Sequence, residues 1–262
     1  MRLLGLVMYN EAYKRLLMLW RYKFNMLMKL VGVIFIFVGF GVIIPGGSIS
    51  ATTLAPTFLG YIVWFYARFV VSAASSDLVM ETYTGTLEQI YMSPVSASFL
   101  LLARLFALLI STTILVILPT VGIILLWHIT IPFRLATMPV FIITLVGLFG
   151  FSLALSGLSL VFKQIDDASI LIQLLLLFLT GTILPIDRFP SWLEPIARAL
   201  PLTQGIALLK MLIFDGQSLA TVWANGSIFW LVLNSLIYVC VGLLIYRWGE
   251  HTAKNHGLLG LY

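Results

Sequence analysis

Six stretches of this chain, residues 30–44, 54–75, 99–127, 140–162, 168–184 and 227–246, run almost without Asp, Glu, Lys or Arg, and only Arg68 and Arg104 interrupt them. Extended by 24–28, the first also approaches the roughly 20 residues a helix needs to cross a hydrocarbon core. Within lipid, a helix is the single-segment structure that satisfies its own backbone. Only 10% of the residues are charged and 61% are hydrophobic, whereas a soluble domain carries about 25% charged residues. A water-soluble globule is thereby excluded. The expectation is an all-α membrane protein. Its 262 residues form a single transmembrane domain, 1–262, with six transmembrane helices, short loops and no soluble catalytic domain.

Residues 1–29 differ from the rest of the chain. Arg2, Lys14, Arg15, Arg21, Lys23 and Lys29 alternate with apolar residues, Trp20 and several Tyr. This pattern predicts an N-terminal amphipathic interfacial helix rather than a cleavable leader, with aromatics at headgroup depth and cations toward lipid phosphates. Gly150, Ala154 and Gly157, with Ser152 and Ser156, give the fourth stretch a small-residue face, which in membranes serves close helix packing. Residues 185–226 hold Pro185, Pro190, Pro195 and Pro201 around two short apolar segments. Each is half the length of a span, and they are expected to form an extracytoplasmic re-entrant hairpin between spans five and six, buried against protein. Lys and Arg set the orientation. With the N-terminus cytoplasmic, that side holds the six N-terminal cations plus Arg104, Lys163, Arg247 and Lys254. The other side holds Arg134, Arg188, Arg198 and Lys210. The excess favours cytoplasmic N- and C-termini in a multi-pass protein of the cell (plasma or inner) membrane.

Residues 77–98 are a polar island between two apolar blocks. They contain Asp77, Glu81 and Glu88 and no Lys or Arg. Thr86 is placed to cap a short helix with Gln89 closing a capping box. Leu87, Ile90 and Tyr91 fall on one face at i, i+3 and i+4. Ser93-Pro94 ends the helix, because proline disfavours helical geometry before it. So short a helix cannot bury its own apolar face, and a partner protein is the expected cover.

The segment Glu81…Gly85-Thr86-Leu87-Glu88-Gln89…Ser93-Pro94 after the second span resembles the cytoplasmic coupling helix of type-two ABC exporter membrane subunits. That is the permease family exporting drugs, lipids and lipid-linked polysaccharides. Pro185…Pro190-Ser191-Trp192…Pro201-Leu202-Thr203 resembles that family's hairpin before the last span. The resemblance covers essentially the whole chain. It implies a homodimer, or a pair with a related permease, carried in lipid and bound to two ABC ATPase subunits. ATP and Mg would sit on those partners. No G-x-x-x-x-G-K-[ST] occurs here, so this chain is expected to hold no cofactor, to bind no nucleic acid and to catalyse nothing itself. Glu81, Thr86, Leu87, Glu88, Gln89, Ile90 and Tyr91 would form the ATPase-docking surface. ATP binding would rock the spans between inward- and outward-facing states, with a drug, lipid or lipid-linked glycan as cargo.

Within the spans, Arg68 has two readings: a contact to an anionic group on the cargo, or a structural anchor. Tyr61, Trp64 and Phe65, just outward of it, are candidates for an aromatic substrate path, or for packing. Pro185, Trp192 and Pro201 are candidates for an outer gate. A carrier or channel not driven by ATP is the alternative function. Against it stands the lack of half-chain repeats that secondary carriers often show.

Overall fold

A computed structural model describes residues 2–43, 51–83, 85, 97–132, 134–163 and 165–257. Among them the chain is all-helical, with no strand. Helix α1 (Arg2–Arg21) and α2 (Lys23–Ile43) meet at 82°. The hydrogen-bond ladder touches both sides of this elbow: the Tyr22 amide donates to the Met18 carbonyl (2.9 Å) and the Met26 amide to that of Tyr22 (3.0 Å). Then come α3 (Ala51–Tyr83), α4 (Ala97–Trp127) and α5 (Met138–Phe162). Helix α6 (Asp166–Leu179) stops at Thr180-Gly181, where Gly181 takes the left-handed conformation (φ +69°) that glycine adopts without strain. Three short helices come next: α7 (Glu194–Ala199), α8 (Pro201–Ile213) and α9 (Leu219–Ala224). Pro201 opens α8, where a missing amide proton costs nothing. Helix α10 (Ser227–Asn255) closes the described fold.

Side-chain pairings give the helix directions. Tyr66 packs on Phe141 and the Ser156 hydroxyl donates to the Ala74 carbonyl, so α3 and α5 run parallel. Gly147 adjoins Ser235, Gly150 adjoins Tyr238 and Gly157 adjoins Tyr246, so α5 and α10 also run parallel. Against them, α4 is antiparallel to α3, since Tyr66 meets Thr113 while Glu81 meets Arg104. Helix α6 is antiparallel too, since Gly60 adjoins Thr182 while the Trp64 indole donates to the Gln173 carbonyl. Because α5 and α10 point the same way, the chain between them must travel back along the bundle, and α6 carries it.

The α5–α10 contact brings backbone against backbone. A Cβ on Gly242 would fall on the Gly150 carbonyl, and one on Gly249 on that of Gly157. The expectation of close packing at Gly150 and Gly157 is met by glycines from the last helix. In the other half, Phe37, Phe58, Tyr61, Trp64 and Phe65 build an aromatic core, all within 1% of full burial.

By length and composition, four helical stretches are apolar enough to cross a membrane: Leu54–Glu81, Ala103–Trp127, Leu135–Phe162 and Ser227–Asn255, or five if the bent α1–α2 pair is one span. Several expected boundaries move. The N-terminal helix ends at Arg21, so Lys23 and Lys29 belong to α2. Helix α3 continues to Tyr83, which puts Asp77 and Glu81 on the span helix rather than in a separate island. The fifth stretch is helical for 14 residues, about 21 Å, shorter than a hydrocarbon core. The Thr180-Gly181 turn ends it before the expected limit at 184.

Candidate functional site

At one end of the bundle, α1 is fastened to the end of α3 and the start of α4 by charge. The Arg15 guanidinium pairs with Asp77. Glu81, one helical turn on, accepts from Arg104 at 2.9 Å and lies 3.6 Å from the Lys14 ammonium. Spacing of i, i+4 puts both carboxylates on one face of α3. The Glu81 and Arg104 side chains are only 14% and 18% exposed, so water screens their attraction poorly. Burial pulls Arg15 below the ordinary guanidinium range; Glu11 and Glu81 oppose this and Arg104 adds to it. It nevertheless stays charged at neutral pH. A cavity of about 320 Å³ opens here between Glu11, Lys14, Arg15, Asp77, Glu81 and Arg104.

This junction is only half legible in the sequence. Two carboxylates on one face without local cations do signal a basic counterpart. For Glu81, that counterpart is expected on a docked ATPase, and for Asp77 the same logic applies. The structure instead supplies both from this chain, across 62 residues for Arg15–Asp77 and 23 for Arg104–Glu81. Arg104, expected to reach toward the interface alone, is the closer partner of Glu81. Thr86, Leu87, Glu88, Gln89, Ile90 and Tyr91 lie outside the described residues. The junction therefore holds the helix that leads into them.

The aromatic residues of α3, read as a substrate path or as packing, stand in the core of this chain. Tyr61, Trp64 and Phe65 are fully buried. Tyr61 packs edge-on against Phe37, Trp64 and Phe65. They fill the core between α2, α3 and α6. Sequence could not choose the buried face, because α3 is apolar nearly all round here and carries no amphipathic stripe. Arg68 sits apart, part-exposed, with its guanidinium 5.5 Å from the Trp64 ring centroid. Among the described residues it has no carboxylate within ion-pair distance. Ser72 and Ser76 come after it at i+4 and i+8 on the same face of α3.

The three gate candidates are not brought together as a cluster. Pro185 is exposed and Trp192 is 68% exposed. Pro201 is buried on the α5 backbone, where a Cβ on Gly147 would approach it to 2.6 Å. Two polar anchors of the short helices α7 and α8 have no signal in the sequence. The Asn234 amide donates to the Ala199 carbonyl (2.8 Å), tying the α7–α8 corner to α10. The Lys210 ammonium donates to the Gly181 carbonyl (2.9 Å), closing the turn after α6.

Comparison with known proteins bears on this arrangement. Residues 42–244 match the family described as ABC-2 family transporter protein. A segment of 159 residues is 26% identical to a protein named probable multidrug ABC transporter permease YbhR, from Escherichia coli K12 and likewise from Escherichia coli O157:H7. The matched segment covers 59% of this chain and 42% of those relatives. The chain thus spans less than half the length of the curated relatives it matches.

Proposed function

The chain belongs to the ABC-2 transporter family, and from that premise we propose that it is the membrane permease subunit of an ATP-driven exporter, powered by separate ATPase subunits. The observation carrying this reading is the family match over 42–244, which spans α3, α4, α5, α6, the hairpin and most of α10. The alternating helix directions support six crossings: α2 as the first, α6 with the turn beyond it as a short fifth, and α7–α8 as the re-entrant hairpin. The elbow at Tyr22 supports α1 as an interfacial helix on the cytoplasmic side.

In this reading, residues 84–96 dock on the ATPase through Leu87, Glu88, Ile90 and Tyr91. The charge junction transmits the movement. When ATP draws two docked ATPases together, a displacement of the segment after α3 is shared with α1 through Arg15–Asp77 and with α4 through Glu81–Arg104. A permease free to pivot there turns a small shift into a change in the relative tilt of spans, which is alternating access. Two copies, or this chain and a related one, would enclose the path. Arg68, with Ser72 and Ser76, lies on a face of α3 left open by this chain. A cation so placed favours an amphipathic cargo carrying an anionic group. The multidrug description of the Escherichia coli relatives points to hydrophobic cargo of that kind.

The test is co-purification with the ATPase and measurement of its activity. Glu88→Arg and Leu87→Asp should uncouple or release the ATPase while leaving the permease folded. Transport by the isolated chain without ATP would overturn the reading in favour of a carrier or channel.

A further inference from the structure

We propose that the elbow between α1 and α2 is a binding site for one anionic phospholipid headgroup, held by Lys29 and its neighbours. The inference rests on the membrane placement proposed above. A cavity of about 180 Å³ occupies the inner angle of the elbow. Met18, Leu19, Met26 and Leu115 give its apolar lining, and Tyr22, Asn25 and Lys29 its polar lining.

Charge identifies the occupant. Glu11 is the one carboxylate before Asp77 in the chain, and it lies ten residues before Arg21, about 15 Å away along α1. Lys14 and Arg15 have Glu81 and Asp77 as partners. Arg21, Lys23 and Lys29 are exposed, and among the described residues none has a carboxylate within ion-pair distance. The larger cavity at the charge junction differs in this respect. There Lys14, Arg15 and Arg104 face Glu11, Asp77 and Glu81, so the lining is balanced and an added anion gains little. At the elbow the cations are uncompensated and an anion is favoured.

Depth separates a lipid from a soluble anion. Trp20, Tyr22 and Phe24 stand 78%, 63% and 72% exposed around the bend, and such aromatics settle at headgroup level. The apolar wall suits the glycerol and upper acyl region beneath a phosphate.

The test uses the purified permease with its ATPase partner in nanodiscs of phosphatidylcholine, with and without phosphatidylglycerol in both leaflets. Lipids retained on the protein are counted by native mass spectrometry. Identical leaflets make the result independent of orientation, and retention needs no transport, so failure of the exporter reading is a separate outcome. Selective retention of phosphatidylglycerol is expected, falling about fivefold in Lys29→Gln. Asn25→Trp, which fills the cavity without altering charge, should also abolish it, with a thermal melt verifying the fold. Arg247→Gln, an exposed cation on α10, should leave retention unchanged. Equal losses in Arg247→Gln and Lys29→Gln would overturn the site in favour of diffuse attraction. Undiminished retention in a folded Asn25→Trp would overturn it as well. Displacement of the lipid by inorganic phosphate alone would assign the pocket to a soluble anion.

Discussion

Where α5 meets α10 the two backbones touch, because Gly150 faces Gly242 and Gly157 faces Gly249. Where α1 meets α3 and α4, long charged side chains span the gap and leave a cavity of about 320 Å³. The seam is dispersion at the shortest range, with no side chain free to adjust, and it admits one arrangement. The junction is electrostatic and longer in range, and its rotamers can turn while the charges stay near each other. A permease that must hold one helix pair rigid while another element moves needs both kinds of contact. On the exporter reading proposed above, α5–α10 is the rigid part and the end of α3 the adjustable part.

Three substitutions can break this contrast. The largest effect is expected at the seam. Gly242→Val sets a branched side chain on the Gly150 carbonyl, and only separation of the helices relieves it. The cost should reach or exceed the upper end of overpacking, about 3 kcal/mol, seen as lost folded protein or a steep fall in melting temperature in detergent. Gly122→Val, where a Cβ meets nothing within 4 Å, is the matched control. Similar losses in both would show that the seam is nothing special.

A smaller effect is expected at the junction. Glu81→Gln leaves Arg104 and Lys14 beside an uncharged group. Full burial would make this worth about 3–5 kcal/mol. Partial exposure reduces it to about 2 kcal/mol. Adding Arg104→Gln should recover part of the loss, with a coupling of about 1 kcal/mol in the double-mutant cycle. Strict additivity would mean that the pair does not act as a unit. The same variant should depress transport more than stability if the junction transmits movement.

The smallest effect is expected at the outer rim. Arg198 lies 2.8 Å from Glu194 and 3.8 Å from Asp187, but its side chain is 58% exposed. Arg198→Gln should therefore shift stability by less than about 0.5 kcal/mol. A loss rivalling that of Glu81→Gln would show that ion pairs in this protein are not graded by burial.

Much of the scaffold is legible in the sequence. Charge-free runs locate the long helices, and the run of prolines after Leu184 locates the short helices α7 and α8. The small residues of 150–157 announce a close contact, though not its partner. The α1–α2 elbow is harder to see, because the bend at Tyr22 carries no proline or glycine to announce it. The fifth stretch looks longer than it is, since Thr180-Gly181 sits inside an otherwise apolar run.

What the sequence determined by itself is what depends on local spacing and on solvent: a helical membrane chain and its breaks. These come from each residue's preference for lipid or water and from its near neighbours along the helix. Tertiary structure alone decided which face of α3 is core, so that Tyr61, Trp64 and Phe65 are packing while Arg68 stays open. It alone decided that Glu81 and Asp77 find their cations inside the chain. An apolar helix in an apolar solvent has no preferred face, and an ion pair 62 residues apart has no local signature. Both are settled when helices meet, by shape and by charge at contact distance.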